Sequence, residues 1–212
     1  MTAPAAAPDP TRWRWLWSGL GGRGDGRQVY DQLAAAYSEP IRAYHNLEHL
    51  RHCLTELEEN MALARRPLEV ETALWFHDAV YAPARSDNED RSAALAETTL
   101  RGGGVEPDVA DRIRALVLAT RHSEPALDDD ARLVCDVDLS VLGAEPAAFE
   151  LFEQGIRQEY RWVSDAVYRQ GRVEVLRRFL GRPSIYQTPP FQARYEKQAR
   201  QNLERVVAAL SA

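Results

Sequence analysis

The sequence predicts an all-α protein, and three observations carry that expectation. Apolar residues recur at three- and four-residue spacing from Arg27 to the C-terminus, the period of a helix with one buried face. Prolines and glycines fall between these runs, with Pro67 and Pro107 placed to open helices and Gly102-Gly103-Gly104 placed to end one. No stretch shows the strict alternation of a half-buried strand, and no internal repeat is present.

The elements follow in order. Residues 1–12 are rich in alanine and proline and read as a disordered tail, with Trp13, Trp15 and Trp17 starting the ordered chain. Gly19 to Gly26 reads as a flexible connector, because it lacks the preceding strand and the Lys-Ser/Thr of a phosphate loop. Val29, Leu33 and Tyr37 define a helix that Pro40 closes. A long run from Asn46 to Ala64 carries Leu47, Leu50, Cys53, Leu54 and Leu57 on one side. Pro67 then opens a helix whose face is Val70, Ala73, Leu74, His77, Val80 and Tyr81. Further helices are expected over Asn88–Leu100, from Pro107 through Thr120, and over Leu133–Leu142. Three more occupy 146–211, marked by Phe149/Phe152/Ile156/Tyr160, Val173/Leu176/Leu180 and Tyr195/Ala199/Leu203/Val206/Leu210. Residues 13–212 are thus expected to form a single all-helical domain.

Composition excludes several classes. With 212 residues, 45% hydrophobic and 27% charged, the chain can bury a globular core. Its net charge is −6 and both signs are scattered, so neither a nucleic-acid stripe nor a polybasic membrane patch is present. Lys197 is the sole lysine, so the arginine excess runs through the whole chain and singles out no phosphate site. Cys53 and Cys135 read as reduced, buried thiols, and the Trp-rich N-terminus is too short and charged for a signal core. A cytoplasmic location is expected.

The chemistry centres on Arg42-Ala43-Tyr44-His45-Asn46-Leu47-Glu48-His49. On a helix, His45 and His49 would share one face about 6 Å apart. His77-Asp78 follows inside an apolar run, where both polar groups need partners: a metal, or each other at a helix end. A distant carboxylate comes from Asp136 or Asp138. Asp138, with Val134, Val141 and Leu142 at helical spacing, is expected to face inward, and Asp136, beside Arg132 and Ser140, to be the more solvated. Imidazoles with carboxylates make a donor set for a borderline divalent ion.

A His, a His-Asp doublet and a distant Asp on helices resemble the HD superfamily of metal-dependent phosphohydrolases. Tyr44-His45-Asn46 and Asp138-Leu139-Ser140 are also similar to motifs of class I cyclic-nucleotide phosphodiesterases. More closely, Phe76-His77-Asp78, Asn88-Glu89, Ile156-Arg157-x-Glu159-Tyr160 and Ile185-Tyr186 resemble a small bacterial group of HD phosphohydrolases. The resemblance implies an HD-type helical bundle with metal-site motifs over 44–140. It makes His49, His77, Asp78 and Asp138 the ligands of one or two divalent ions, drawn from Mn, Co, Ni, Zn, Fe and Mg. His45 becomes the proton donor and Asp78 a bridge to a second ion, so both are catalytic. The substrate would be a phosphomonoester or phosphodiester of a nucleotide-like small molecule.

Other groups stand as substrate contacts or as structure. Tyr44 and Asn46 flank His45. Asn88 and Glu89 either orient metal-bound water or cap a helix with an acidic first turn. His122 is a second-metal ligand or substrate contact, or else a surface histidine. Arg157 is a phosphate fork or a structural ion pair, and Tyr160 a pocket wall or a buried ring. Three alternatives remain: an HD-fold di-iron oxygenase, short of histidines here; a zinc peptidase reading of His45-Asn46-Leu47-Glu48-His49 with Glu48 as base; and a non-catalytic metal-binding sensor. The expected partner is a small-molecule phosphate ester, without nucleic-acid polymer or membrane, and with oligomeric state, a homodimer included, left open.

Overall fold

The computed structural model describes residues 7–126 and 128–211, which form ten α-helices and no strand. The contacts gather the chain into two compact units, one up to Val137 and one from Asp138.

The first unit is built around α4 (Pro67–Phe76), in which every residue from Glu69 to Phe76 is buried. Helices α1 (Pro10–Gly19), α3 (Leu47–Glu59), α5 (Asn88–Gly102) and α6 (Pro107–Ala119) pack on α4, while α2 (Arg27–Tyr37) packs on α1. A helix buried all round must still satisfy its polar side chains. Glu71 does so with Arg12 at 2.7 and 2.6 Å, and Glu69 with Arg112 at 2.7 and 2.6 Å. Helix α7 (Asp129–Leu139), most of which lies in this unit, is held at its start by Asp130, which accepts from the backbone N–H of Arg65 and Arg66.

Three local expectations change. Residues 1–6 of the anticipated tail lie outside the described residues, but helix α1 already begins at Pro10. Asp9 caps it by accepting from Thr11 and Arg12, and Arg12 anchors it to Glu71. The glycine-rich stretch is a wrap rather than a flexible connector. Trp13 Nε1 donates to Gly26 O and Trp17 Nε1 to Arg23 O, both at 2.9 Å, and a Cβ on Gly22, Gly26 or Gly103 would overlap the Trp17 ring. Finally, α3 stops at Glu59 and a 3-10 turn, Met61–Leu63, completes the expected run.

The second unit contains α8 (Pro146–Glu159), α9 (Asp165–Leu180) and α10 (Pro189–Ser211), after a 3-10 turn at Ser140–Gly143. Helix α10 packs on α9 and on that turn. Its buried Asn202 donates to Leu142 O and Ala144 O, and its Glu196 accepts from the N–H groups of Ile185 and Tyr186.

Candidate metal centre

The helix expected to run from Pro67 to Tyr81 ends at Phe76, so His77 and Asp78 sit in the turn that leaves α4. The turn is stabilised from outside its own sequence. Arg42 donates to Asp78 O and Ala79 O, Ser92 Oγ accepts from Val80 N, and Asn88 pairs with both backbone groups of Ala82. The bonds to Asp78 O, Val80 N and Ala82 stand in for intrahelical ones, and Arg42 serves Ala79 O, to which Pro83 could donate nothing. His77 itself turns inward, with Nδ1 donating to Leu74 O at 2.7 Å. That bond places the proton on Nδ1 and aims the Nε2 lone pair away from the helix.

Opposite, α3 begins with Asn46, whose Oδ1 accepts from Glu48 N at 2.8 Å and His49 N at 3.4 Å. His49 is in the first turn and buried. Its Nε2 stands 3.0 Å from His77 Nε2, and Asp78 Oδ2 is 3.1 Å from His77 Nε2 and 3.6 Å from His49 Nε2. Donors bound to one ion at about 2.0–2.2 Å stand roughly 2.9–3.6 Å apart at angles of about 90–120°. The three atoms fit that requirement. Burial opposes ionisation of Asp78, but the imidazoles of His77, His45 and His49, which attract the carboxylate when protonated, with His77 then also donating to it through Nε2, outweigh it and hold the carboxyl well below the usual carboxylate range. Behind the site, burial pushes the Tyr37 hydroxyl far above its ordinary value, and that neutral hydroxyl accepts from Asp78 N at 3.3 Å.

A second grouping shares the two histidines. One donor atom each from His49, Cys53, His77 and Asp138 lie within 4.8 Å of one another, a largely buried set that could hold a metal ion. Asp138 is carried in the last turn of α7, a helix that starts in the first unit. Cys53 was missed as a candidate, although its position four residues after His49 was the signal for it. Its sulfur is 3.7 Å from His49 Nε2 and 3.8 Å from Nδ1, so it lies beside the ring. A sulfur sharing an ion with the Nε2 lone pair would stand about 5 Å from Nδ1, so ligation requires Cys53 to rotate. The burial of the two candidate carboxylates is also the reverse of that expected. Asp136 is 0% exposed and Asp138 is half-buried, because α7 is buried over most of its surface and the local pattern of neighbours does not distinguish its faces.

His45 is not on the helix. It precedes the Asn46 cap, yet its ring centroid is 5.9 Å from that of His49. It stacks on Tyr81 at 4.2 Å and 28°, and Tyr44 packs edge-on to it and tilted on His49. Glu48 points away: its side chain is 77% exposed and paired with Arg51.

Among the remaining candidates, Asn46, Asn88 and Arg157 bond to backbone groups. Asn46 spends its amide on Ala43 O as well as capping α3. Asn88 is tied to Ala82 as described, and Glu89 is half-buried in the first turn of α5. His122 takes a left-handed conformation (φ 53°) just past α6. In the second unit, Arg157 donates to Tyr160 O, Val163 O and Asp165, closing the end of α8, and Tyr160 stacks on Trp162 and lies tilted against Tyr168. No helix among the described residues is long and apolar enough to cross a membrane. No family model, curated protein or solved structure matches the chain.

Proposed function

We propose that this chain is a metal-dependent phosphohydrolase of the HD type, acting on a phosphomonoester or phosphodiester of a nucleotide-like small molecule. The observation that carries the reading is the convergence of His49 Nε2, His77 Nε2 and Asp78 Oδ2 within 3.6 Å, beside a half-buried imidazole that belongs to no helix. His49, His77 and Asp78, with Asp138, would hold the ion. When bound, a divalent ion acidifies a water and polarises a phosphoryl oxygen. The protein's own part is orientation and proton transfer. Leu74 O fixes the His77 tautomer, and Tyr37 holds the backbone of Asp78. His45 gives a proton to the departing oxygen as water adds to phosphorus and the P–O bond breaks. Glu48, turned to solvent, has no place in this scheme, which argues against the peptidase alternative.

The test is purified protein loaded separately with Mn²⁺, Co²⁺, Ni²⁺, Zn²⁺, Fe²⁺ or Mg²⁺ and given nucleoside mono-, di-, tri- and cyclic phosphates. Asp78→Ala is expected to lose metal and activity in parallel, and Glu48→Gln to keep both. Retention of both by Asp78→Ala, or no hydrolysis by any loaded form, would sink the reading.

Cys53 favours one competitor. With Cys53 rotated onto the ion, a His-His-Cys-Asp set would have the composition of a structural or sensory site. Tight zinc binding without turnover, together with a thiolate-to-Co²⁺ absorption band lost in Cys53→Ser, would select it.

A further inference from the structure

We propose that Arg42 is the positioning residue that sets His45 against the His77–Asp78 turn; the inference rests on His45 acting as the proton donor. The Arg42 side chain is 1% exposed. Its Nη1 donates to Asp78 O at 2.6 Å and His45 O at 3.2 Å, and its Nη2 to Ala79 O at 3.2 Å. Nε pairs with Glu39 at 3.1 Å, a carboxylate that offsets the buried charge. One guanidinium therefore ties together the two segments that carry the donor and the metal-binding turn.

The hold on His45 is double. The Arg42 guanidinium lies 5.5 Å from the centroid of Tyr81, and Tyr81 in turn stacks on the His45 ring. Backbone carbonyl and imidazole are both referred to the same cation. Lysine could not reproduce this, because a point charge on a flexible stem lacks the planar fork that reaches three carbonyls and a carboxylate at once.

The experiment compares Arg42→Lys, His45→Ala and the double variant on two esters, an alkyl phosphate and p-nitrophenyl phosphate. The alkoxide needs a proton to leave, whereas nitrophenolate does not. His45→Ala is expected to cut kcat on the alkyl ester about a hundredfold and to spare the nitrophenyl ester. Arg42→Lys is expected to show the same selectivity at roughly tenfold or more per bound metal ion, with no further loss in the double variant. Equal loss on both esters, or a loss that adds to that of His45→Ala, overturns the inference. A second measurement does not depend on turnover: acylation of His45 by diethyl pyrocarbonate, mapped by peptide mass. The His45 rate should rise several-fold in Arg42→Lys while His49 and His77 stay unchanged, and an unchanged His45 rate refutes the positioning role. If the wild-type protein hydrolyses neither ester, the acylation rate alone decides whether Arg42 holds His45, and the nucleotide panel alone decides the phosphohydrolase reading.

Discussion

The pair Arg12–Glu71 offers a sharp test of how the first unit is assembled. Its side chains are 2% and 1% exposed, joined by two hydrogen bonds of 2.7 and 2.6 Å, with the guanidinium also over Trp15. Substituting Arg12→Ala leaves the Glu71 carboxylate in the core without its counter-ion. Breaking a buried pair from one side costs about 3–5 kcal/mol. For a chain of this length that is roughly 6–20 °C of Tm. Replacing both residues, as Arg12→Met with Glu71→Leu, removes the desolvation cost along with the attraction and is expected to return stability to within about 1 kcal/mol of wild type or above it. Urea unfolding followed by tryptophan fluorescence is a suitable assay, because Trp13, Trp17 and Trp75 cluster beside the pair. Glu71 lies on the helix that delivers His77, so metal binding should survive in the double variant. Two results would refute the reasoning: a loss below about 1 kcal/mol in Arg12→Ala, or a double variant as unstable as the single.

Acid should act on the second unit through Glu196. Burial opposes its ionisation, but bonds from Ile185 N, Tyr186 N, Ser184 and Arg200 prevail and lower its pKa. A carboxyl whose folded value is lowered adds stability above its unfolded pKa of about 4.3 and loses it as pH falls through the folded value. Glu196→Gln should therefore be less stable near neutrality and flatter with acid in urea midpoints; parallel curves for the two proteins would contradict this. Around Trp17, Gly103→Ala should cost about 1–3 kcal/mol by overpacking. Gly102→Ala, with nothing within 4 Å of its added carbon, is the control and should be neutral or stabilising. Similar melting of the two variants would mean that the Trp17 wrap is loose.

Periodicity made the helices legible because a buried face must repeat with the turn of the helix, and the opening prolines Pro67 and Pro107 stand at helix starts as expected. It failed where backbone groups find partners far along the chain. Val80 and Tyr81 continue the apolar spacing of α4, yet Arg42, Ser92 and Asn88 claim the backbone after Phe76 and turn it into a loop. Local spacing could not show this, since the decisive donors lie up to 37 residues away. His45 and His49 stand at the separation expected of helical neighbours for a different reason, with His45 held outside the helix by Tyr81 and Arg42.

The candidates then divide by what their polar atoms are already doing. Asn46, Asn88 and Arg157 satisfy backbone groups, which makes them parts of the scaffold whatever reaction occurs near them. His77 makes its backbone bond through one nitrogen and thereby frees the orientation of the other toward His49 and Asp78. Residue type and spacing are the same kind of evidence for both groups. The difference is that an amide bonded through both its atoms has no direction left to offer, whereas an imidazole bonded through one nitrogen has its second direction set by the first. A buried histidine anchored to a carbonyl is therefore better evidence for a metal centre than an asparagine of equal proximity, and it is this asymmetry that separates the His49–His77–Asp78 core from the residues around it.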